Sequence, residues 1–245
     1  MSQIETSEYI ESLYEETEKQ LLDVYKTQNQ ERKKVEERIG MILLVYTVVK
    51  TMLSMGREDQ VKEEKKFNAL LHSMYLACGA ATVGAAYKIL KEQSEKMYDF
   101  LGVKVSKKEI DKIINDSFKG KKYSERIWDN EKKIKSVLMN EFTKFLMGKT
   151  SVNDIRKKIA FIFKAQKYQV DRLVFTELNR VLNAVILDSY KAQGIKYVMW
   201  CSVLEKNTCA DCASMHGTIF KIDEAYDLIP AHANCKCYWE KLNKL

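Results

Sequence analysis

Proline is almost missing from this chain. Pro230 is its single proline among 245 residues, and only nine glycines accompany it. That scarcity excludes proline-rich linkers, collagen-like repeats and folds built from many tight turns, and it favours long helices. The first residues, MSQIETSEYIESLYEETEKQ, lack both a basic n-region and an apolar h-region, so no secretory signal is expected. Synthesis in a reducing cytoplasm follows, where spaced cysteines serve more often as metal ligands than as disulfides. Also missing are a paired-carboxylate cluster, a phosphate-cradling loop and a nucleophile elbow. A catalytic role is therefore not expected.

The charge that is present is unevenly spread. Residues 1–31 carry eight acidic residues against Lys19 and Lys26, a balance of −6, which leaves +13 for the rest of a chain whose net charge is +7. A basic body with an acidic N-terminal arm can approach a polyanion by one face.

Periodicity divides the chain coarsely. Residues 3–37 read as one charged helix whose narrow stripe is Ile10, Leu13, Tyr14, Leu21 and Tyr25, either packed along a bundle or free to dock on another protein. MILLVYTVVKTML, residues 41–53, is apolar nearly all round and reads as a buried helix. Residues 69–87 run without a permanent charge and reach the lower limit of a membrane span. His72, Ser73 and Thr82 dilute that run, so a packed helix is expected, with Ala80 and Gly84 as a small-residue pair for close helix approach and His72 as a core histidine.

A break around residues 99–123 marks a basic junction. There Ser106 and Glu109 form a capping-box pattern, and Lys104, Lys107, Lys108, Lys112, Lys119, Lys121 and Lys122 gather where they could hold phosphates. Helices are expected over 124–147, over 151–166 and over 167–193, the last with a stripe of Val170, Val174, Leu178, Val181, Leu182 and Val185 and a stop at Gly194. Beyond it the texture turns β-branched and aromatic, predicting strands at 195–203, 217–222 and 235–242. The expected fold is mainly α with a small α+β C-terminal module: long helices, then a short antiparallel sheet stapled by a Cys/His zinc site. The expected divisions are a helical region over 1–100, the junction over 101–123 and the module over 124–245.

Four of the six cysteines fall in two pairs within that module. Cys209 and Cys212 form a C-x-x-C knuckle, and His232, Cys235 and Cys237 follow the lone proline. The interval between the pairs suits a structural zinc site, which takes four thiolate or imidazole ligands in a tetrahedron. Polar Asn207, Thr208, Asp211 and Asn234 crowd the same segments, unlike an apolar core. The expected Zn2+ ligands are Cys209, Cys212, His232 and one of Cys235 or Cys237, with His216 at the surface or in reserve. A zinc held by four protein ligands would staple the small sheet and leave no open position for chemistry. With three ligands and a water, a zinc-dependent nuclease using His216 or His232 as base is the alternative.

These segments resemble the phage Mu F-like minor head protein, or phage head morphogenesis, family. The resemblance lies in Arg172 with Thr176 and Glu177 on a helix, Trp200 in a strand, Thr208-Cys209-Ala210-Asp211-Cys212, Gly217 to Phe220, and the ending Pro230-Ala231-His232-Ala233-Asn234-Cys235-Lys236-Cys237. Lys236 stands where the family usually has arginine, keeping the charge but losing bidentate hydrogen bonding. Glu205 stands where an aspartate is frequent. The resemblance implies a minor structural component of a tailed-phage or prophage virion, inside the capsid. It would be associated with the portal protein, with scaffold or major capsid protein as further contacts, and act in procapsid assembly and in DNA packaging and ejection. It also implies non-specific contact with double-stranded DNA, which suits dispersed lysines on a basic body. A membrane-interacting ejection protein using residues 69–87 is a further alternative, with membrane contact not expected.

Overall fold

The computed structural model describes residues 3–203 and 208–242; Glu205 and Asn207 lie outside them. The chain runs α1 (Gln3–Gln20), α2 (Leu22–Val45), β1 (Thr47–Val49), β2 (Met52–Ser54), α3 (Arg57–Phe100), α4 (Lys107–Asn115), α5 (Tyr123–Leu146), α6 (Val152–Ala192), β3 (Tyr197–Cys201), α7 (Ala210–Met215), β4 (Ile219–Lys221) and β5 (Tyr238–Leu242), with one 3-10 turn at Ile222–Glu224. It is mostly helical, and its C-terminal strands form an antiparallel sheet in the order β4-β3-β5. Trp200 stands opposite Trp239 in that sheet, and their rings meet edge to face at 5.5 Å.

Three helix boundaries differ from the sequence reading. The single helix expected over 3–37 is interrupted at Leu21, and its second part continues to Val45. Residues 151–193 form one helix rather than two. Nothing between them breaks a helix, and buried Ile159, Ile162, Phe163, Gln166 and Val170 keep the three- and four-residue spacing through the expected join. Ser151 opens α6, accepting from the Asp154 N–H at 3.1 Å.

The largest correction concerns residues 41–53, which are not a buried helix. The chain leaves α2 at Val45 and makes a two-stranded hairpin, with Lys50 and Thr51 both at positive φ in its turn. Two positive-φ residues are what the right-handed twist of a two-residue hairpin requires. β-branched Val45, Thr47, Val48 and Val49 favour the strand over the helix. Only Leu53 of the hairpin strands is buried.

The chain forms two compact units interleaved along the sequence: Met1–Gln20, Ala85–Tyr123 and Asp171–Leu245 make one, and Leu21–Gly84 and Ser124–Val170 make the other. In the second, α2, α3, α5 and α6 bury Val35, Leu71, Leu138 and Ile159 around stacked Phe67 and Phe142, whose rings are 3.6 Å apart. Within it, α3 carries an 18-residue window apolar enough for a membrane span, but a third of that window is buried. Ala80 and Gly84 do not make the close approach: both are exposed, and nothing lies within 4 Å of a side chain built at Gly84. Buried Gly79 does, because the Trp128 indole occupies the space its side chain would take. His72 is exposed and stacks beside Tyr75, so it is not a core histidine. The same unit buries Glu131, which accepts a hydrogen bond from Gln166 Nε2 at 2.7 Å; desolvation pushes its carboxyl up to about 7.

In the first unit the acidic arm is packed on its own chain. Tyr9 stacks on Phe100 at 4.0 Å and donates to the Lys96 carbonyl, and Lys96 pairs with Glu16. Tyr14 stacks on Phe175 of α6. The capping box of Ser106 and Glu109 starts α4, and the α6 stripe from Val170 to Val185 is buried throughout, ending where Gly194 takes positive φ.

Two outcomes follow. Gly79→Ala gains helix propensity but displaces the indole, for a net loss of about 1–2 kcal/mol, whereas Gly84→Ala in open space gains about 0.5–1 kcal/mol; urea unfolding of both variants reads the difference. Glu131 has a folded pKa above its unfolded one, so its contribution to stability is complete below the unfolded pKa. It is lost as pH rises toward about 7, a loss of up to about 3 kcal/mol. Glu131→Gln is expected to remove most of that decline, measured as Tm against pH between about 4 and 8.

Candidate metal centre

The five sequence-predicted ligands converge. Cys209 is the N-cap of α7, and its sulfur accepts the Cys212 N–H at 3.3 Å, so the first turn of a short helix aims both sulfurs the same way. The returning chain passes the cis Ile229–Pro230 bond and brings His232 Nε2 to 3.2 Å from Cys209 Sγ and 3.1 Å from Cys212 Sγ. Cys212 Sγ lies 3.9 Å from Cys235 Sγ. Two ligand groups result, Cys209–Cys212–His232 and Cys212–Cys235–Cys237, sharing Cys212. Cys235 and Cys237 lie just before β5 rather than within it.

The donor set fits a tetrahedral zinc. Bonds of about 2.3 Å to sulfur and 2.0–2.1 Å to nitrogen put sulfurs about 3.8 Å apart and sulfur about 3.5 Å from nitrogen. His232 Nδ1 sits 2.8 Å from the Ala233 carbonyl. A proton held there leaves Nε2, the atom facing the sulfurs, with its lone pair available to a metal.

The acidities point the same way. The Cys237 thiol donates toward Cys235 and holds it down to about 5, and the Cys212 N–H lowers Cys209. Burial drives Cys212 up to about 12, and the ionised Cys235 beside it, with burial, drives Cys237 up. His232 is raised by the Ala233 carbonyl. Lowered and raised acidities thus stand side by side among the four sulfurs; a cation between them would favour the thiolate form of several together.

Residues other than the predicted ligands hold the cluster in place, and of these Asn179, Asn183 and Ser202 are not part of the sequence motif. Asn179 and Asn183, buried one turn apart on α6, both donate to the Cys237 carbonyl, at 3.0 and 3.1 Å, and Asn183 Oδ1 accepts the Trp239 N–H at 3.2 Å. Thr176 Oγ1 accepts the Asn234 N–H at 3.1 Å. Ser202, also buried, receives Trp200 Nε1–H and the Cys237 thiol and donates to the Cys212 carbonyl. Glu177 pairs with Arg180, whose guanidinium caps the α4 carbonyls of Ile113 and Ile114. A sequence signal for the amides existed: two asparagines four residues apart inside the apolar stripe around Leu182.

The other candidates fall outside the cluster. His216 caps α7 and accepts the Ser202 N–H through Nδ1 at 3.1 Å. Lys104, Lys107, Lys108, Lys119, Lys121 and Lys122 are all exposed. Lys119 donates to the Ala231 carbonyl at 3.2 Å, which brings the basic junction beside the His232 loop. A recess of about 170 Å³ lies against the cluster, lined by Cys209, Cys212, His232 and Cys237 together with Val203, Thr208, Asn234 and Lys236.

Asn183→Ala would leave the buried Trp239 N–H without an acceptor and remove one donor from the Cys237 carbonyl. The expected cost is about 1–3 kcal/mol in denaturant unfolding, with faster amide exchange in β5. Stability unchanged to within about 0.5 kcal/mol would show that these amides do not anchor the module.

Comparison with curated proteins yields no match, and comparison with solved structures yields none. Among protein families, residues 132–240 match the model described as Phage Mu protein F like protein. The matched stretch runs from within α5 to β5 and contains the cluster with the asparagines and Ser202 that support it. Over residues 132–240 this chain is similar to the Phage Mu protein F like family.

Proposed function

We propose that the protein is a minor structural component of a phage head, acting in capsid assembly and in DNA packaging and ejection through contact with the portal protein and with double-stranded DNA. The family match over residues 132–240 fits a head morphogenesis protein and a virion location. The observation that supports the structural rather than catalytic reading is the number of donors the cluster supplies. Cys209, Cys212 and His232 form one group and Cys212, Cys235 and Cys237 a second that shares Cys212, and a Zn2+ held by four of these donors would keep no position for water. Such an ion supplies folding energy to a sheet too small to be stable alone.

DNA contact rests on the junction. Its lysines surround α4 without the regular array of a groove-reading motif, which suits phosphate contact without sequence preference. The acidic arm is held on the same unit by Glu16–Lys96 and the Tyr9 stack, leaving the junction lysines to face the polyanion.

Binding to random-sequence duplex DNA as a function of salt tests the DNA half. Replacing Lys104, Lys107, Lys108, Lys121 and Lys122 with alanine should weaken binding equally across sequences. It should also flatten the log–log salt slope by about 1 for each phosphate that the protein no longer neutralises. Lys119 is kept because it donates to the Ala231 carbonyl. Co-sedimentation with assembled portal tests the other half. Unchanged slopes and absence of portal binding would reject the proposal, and metal-dependent nicking of plasmid DNA would replace it with the nuclease.

A further inference from the structure

The apolar segment that forms a hairpin instead of a buried helix leaves an uncovered face. Met41, Leu44 and Val45 stand on the last turns of α2, and Val48, Val49 and Met52 on β1 and β2; all six are exposed, Leu44 to 88% and Val45 to 73%. Residues 41–56 contain a single charge, Lys50 at the hairpin turn. Weighted by exposure, the six present on the order of 600 Å² of apolar surface, at the upper limit of what monomers leave bare. It also approaches the roughly 800 Å² that each partner gives to a standard interface.

The strand within this face is open on one side. β1 pairs with β2 along one edge, while the far edge of β2 meets the start of α6, where Met52 bridges Ser151 and Thr51 accepts the Val152 N–H at 3.0 Å. Among the described residues no backbone pairs with the outer edge of Thr47–Val49. An unpaired β-branched edge offers its free N–H and C=O groups to another strand.

We propose that this face is a self-association surface, occupied by a second copy of the chain through antiparallel β1–β1 pairing about a two-fold axis at Val48. The charge pattern selects this occupant. A two-fold about Val48 sets Thr47 of one copy against Val49 of the other and Lys50 against Tyr46 of the second copy. The two Lys50 side chains are thereby carried to opposite ends, about 13 Å apart along the strand direction. Like charges do not meet, and the exposed valines of the two edges lie side by side. The same patch serves both copies, the requirement for a closed dimer rather than an open chain of subunits.

Sedimentation velocity of the full chain, from micromolar to submillimolar concentration, should show a monomer–dimer equilibrium. Leu44→Glu combined with Val49→Lys should raise the dissociation constant at least a hundredfold, while circular dichroism and Tm stay unchanged because both side chains project from the fold. A second measurement does not depend on that variant. Val48→Cys should form an intermolecular disulfide under mild oxidation, whereas Lys50→Cys and the unaltered chain should not, since the Lys50 positions are beyond disulfide reach. A monomer at every concentration would overturn the proposal. So would self-association that survives the double substitution, equal cross-linking of both cysteine variants, or binding to vesicles of anionic lipid without self-association.

Discussion

Two amides of one helix grip one carbonyl, and the C-terminal module depends on that grip. Asn179 and Asn183 both donate to Cys237, and Asn183 accepts from Trp239. The sheet they anchor has strands of five, three and five residues, too little to bury a core by itself. Fixing Cys237 also fixes its neighbour Cys235, and with Thr176 holding Asn234 it sets where the His232 loop returns to the Cys209–Cys212 turn. α6 thus acts as a rail, with an apolar stripe for packing and three polar side chains for registering the chain's end.

A metal would complete this arrangement chemically. Sulfurs this close cannot all ionise without a counter-charge, and the alternating acidities of Cys209, Cys212, Cys235 and Cys237 express that conflict. The Cys237 thiol reaches Ser202. Spacing leaves the fourth ligand open between Cys235 and Cys237, and both stand in one group with Cys212.

What the sequence reveals depends on how local the cause is. The Ser106–Glu109 capping box, the stop at Gly194 and the α6 stripe are settled within a few residues, and the structure has each where the pattern puts it. The convergence of Cys209, Cys212, His232 and Cys235 is long-range but legible, because few other roles explain that spacing. The hairpin is hidden: Lys50 and Thr51 are poor signals for positive φ, and an apolar run reads alike as core helix or strand. Gly79 against Ala80 and Gly84 is a question of which face meets Trp128, which only the neighbouring helix decides. Asn179 and Asn183 resemble any polar residues on a long helix until a carbonyl more than fifty residues away arrives between them.

The most direct test of the metal-stapled module is native mass spectrometry of the full chain purified under reducing conditions, combined with hydrogen exchange before and after chelation. A stapled module predicts about one Zn2+ per chain, and on its removal a loss of amide protection in Tyr238–Leu242 and around Cys209–Cys212. A metal-free chain with those amides fully protected would contradict it.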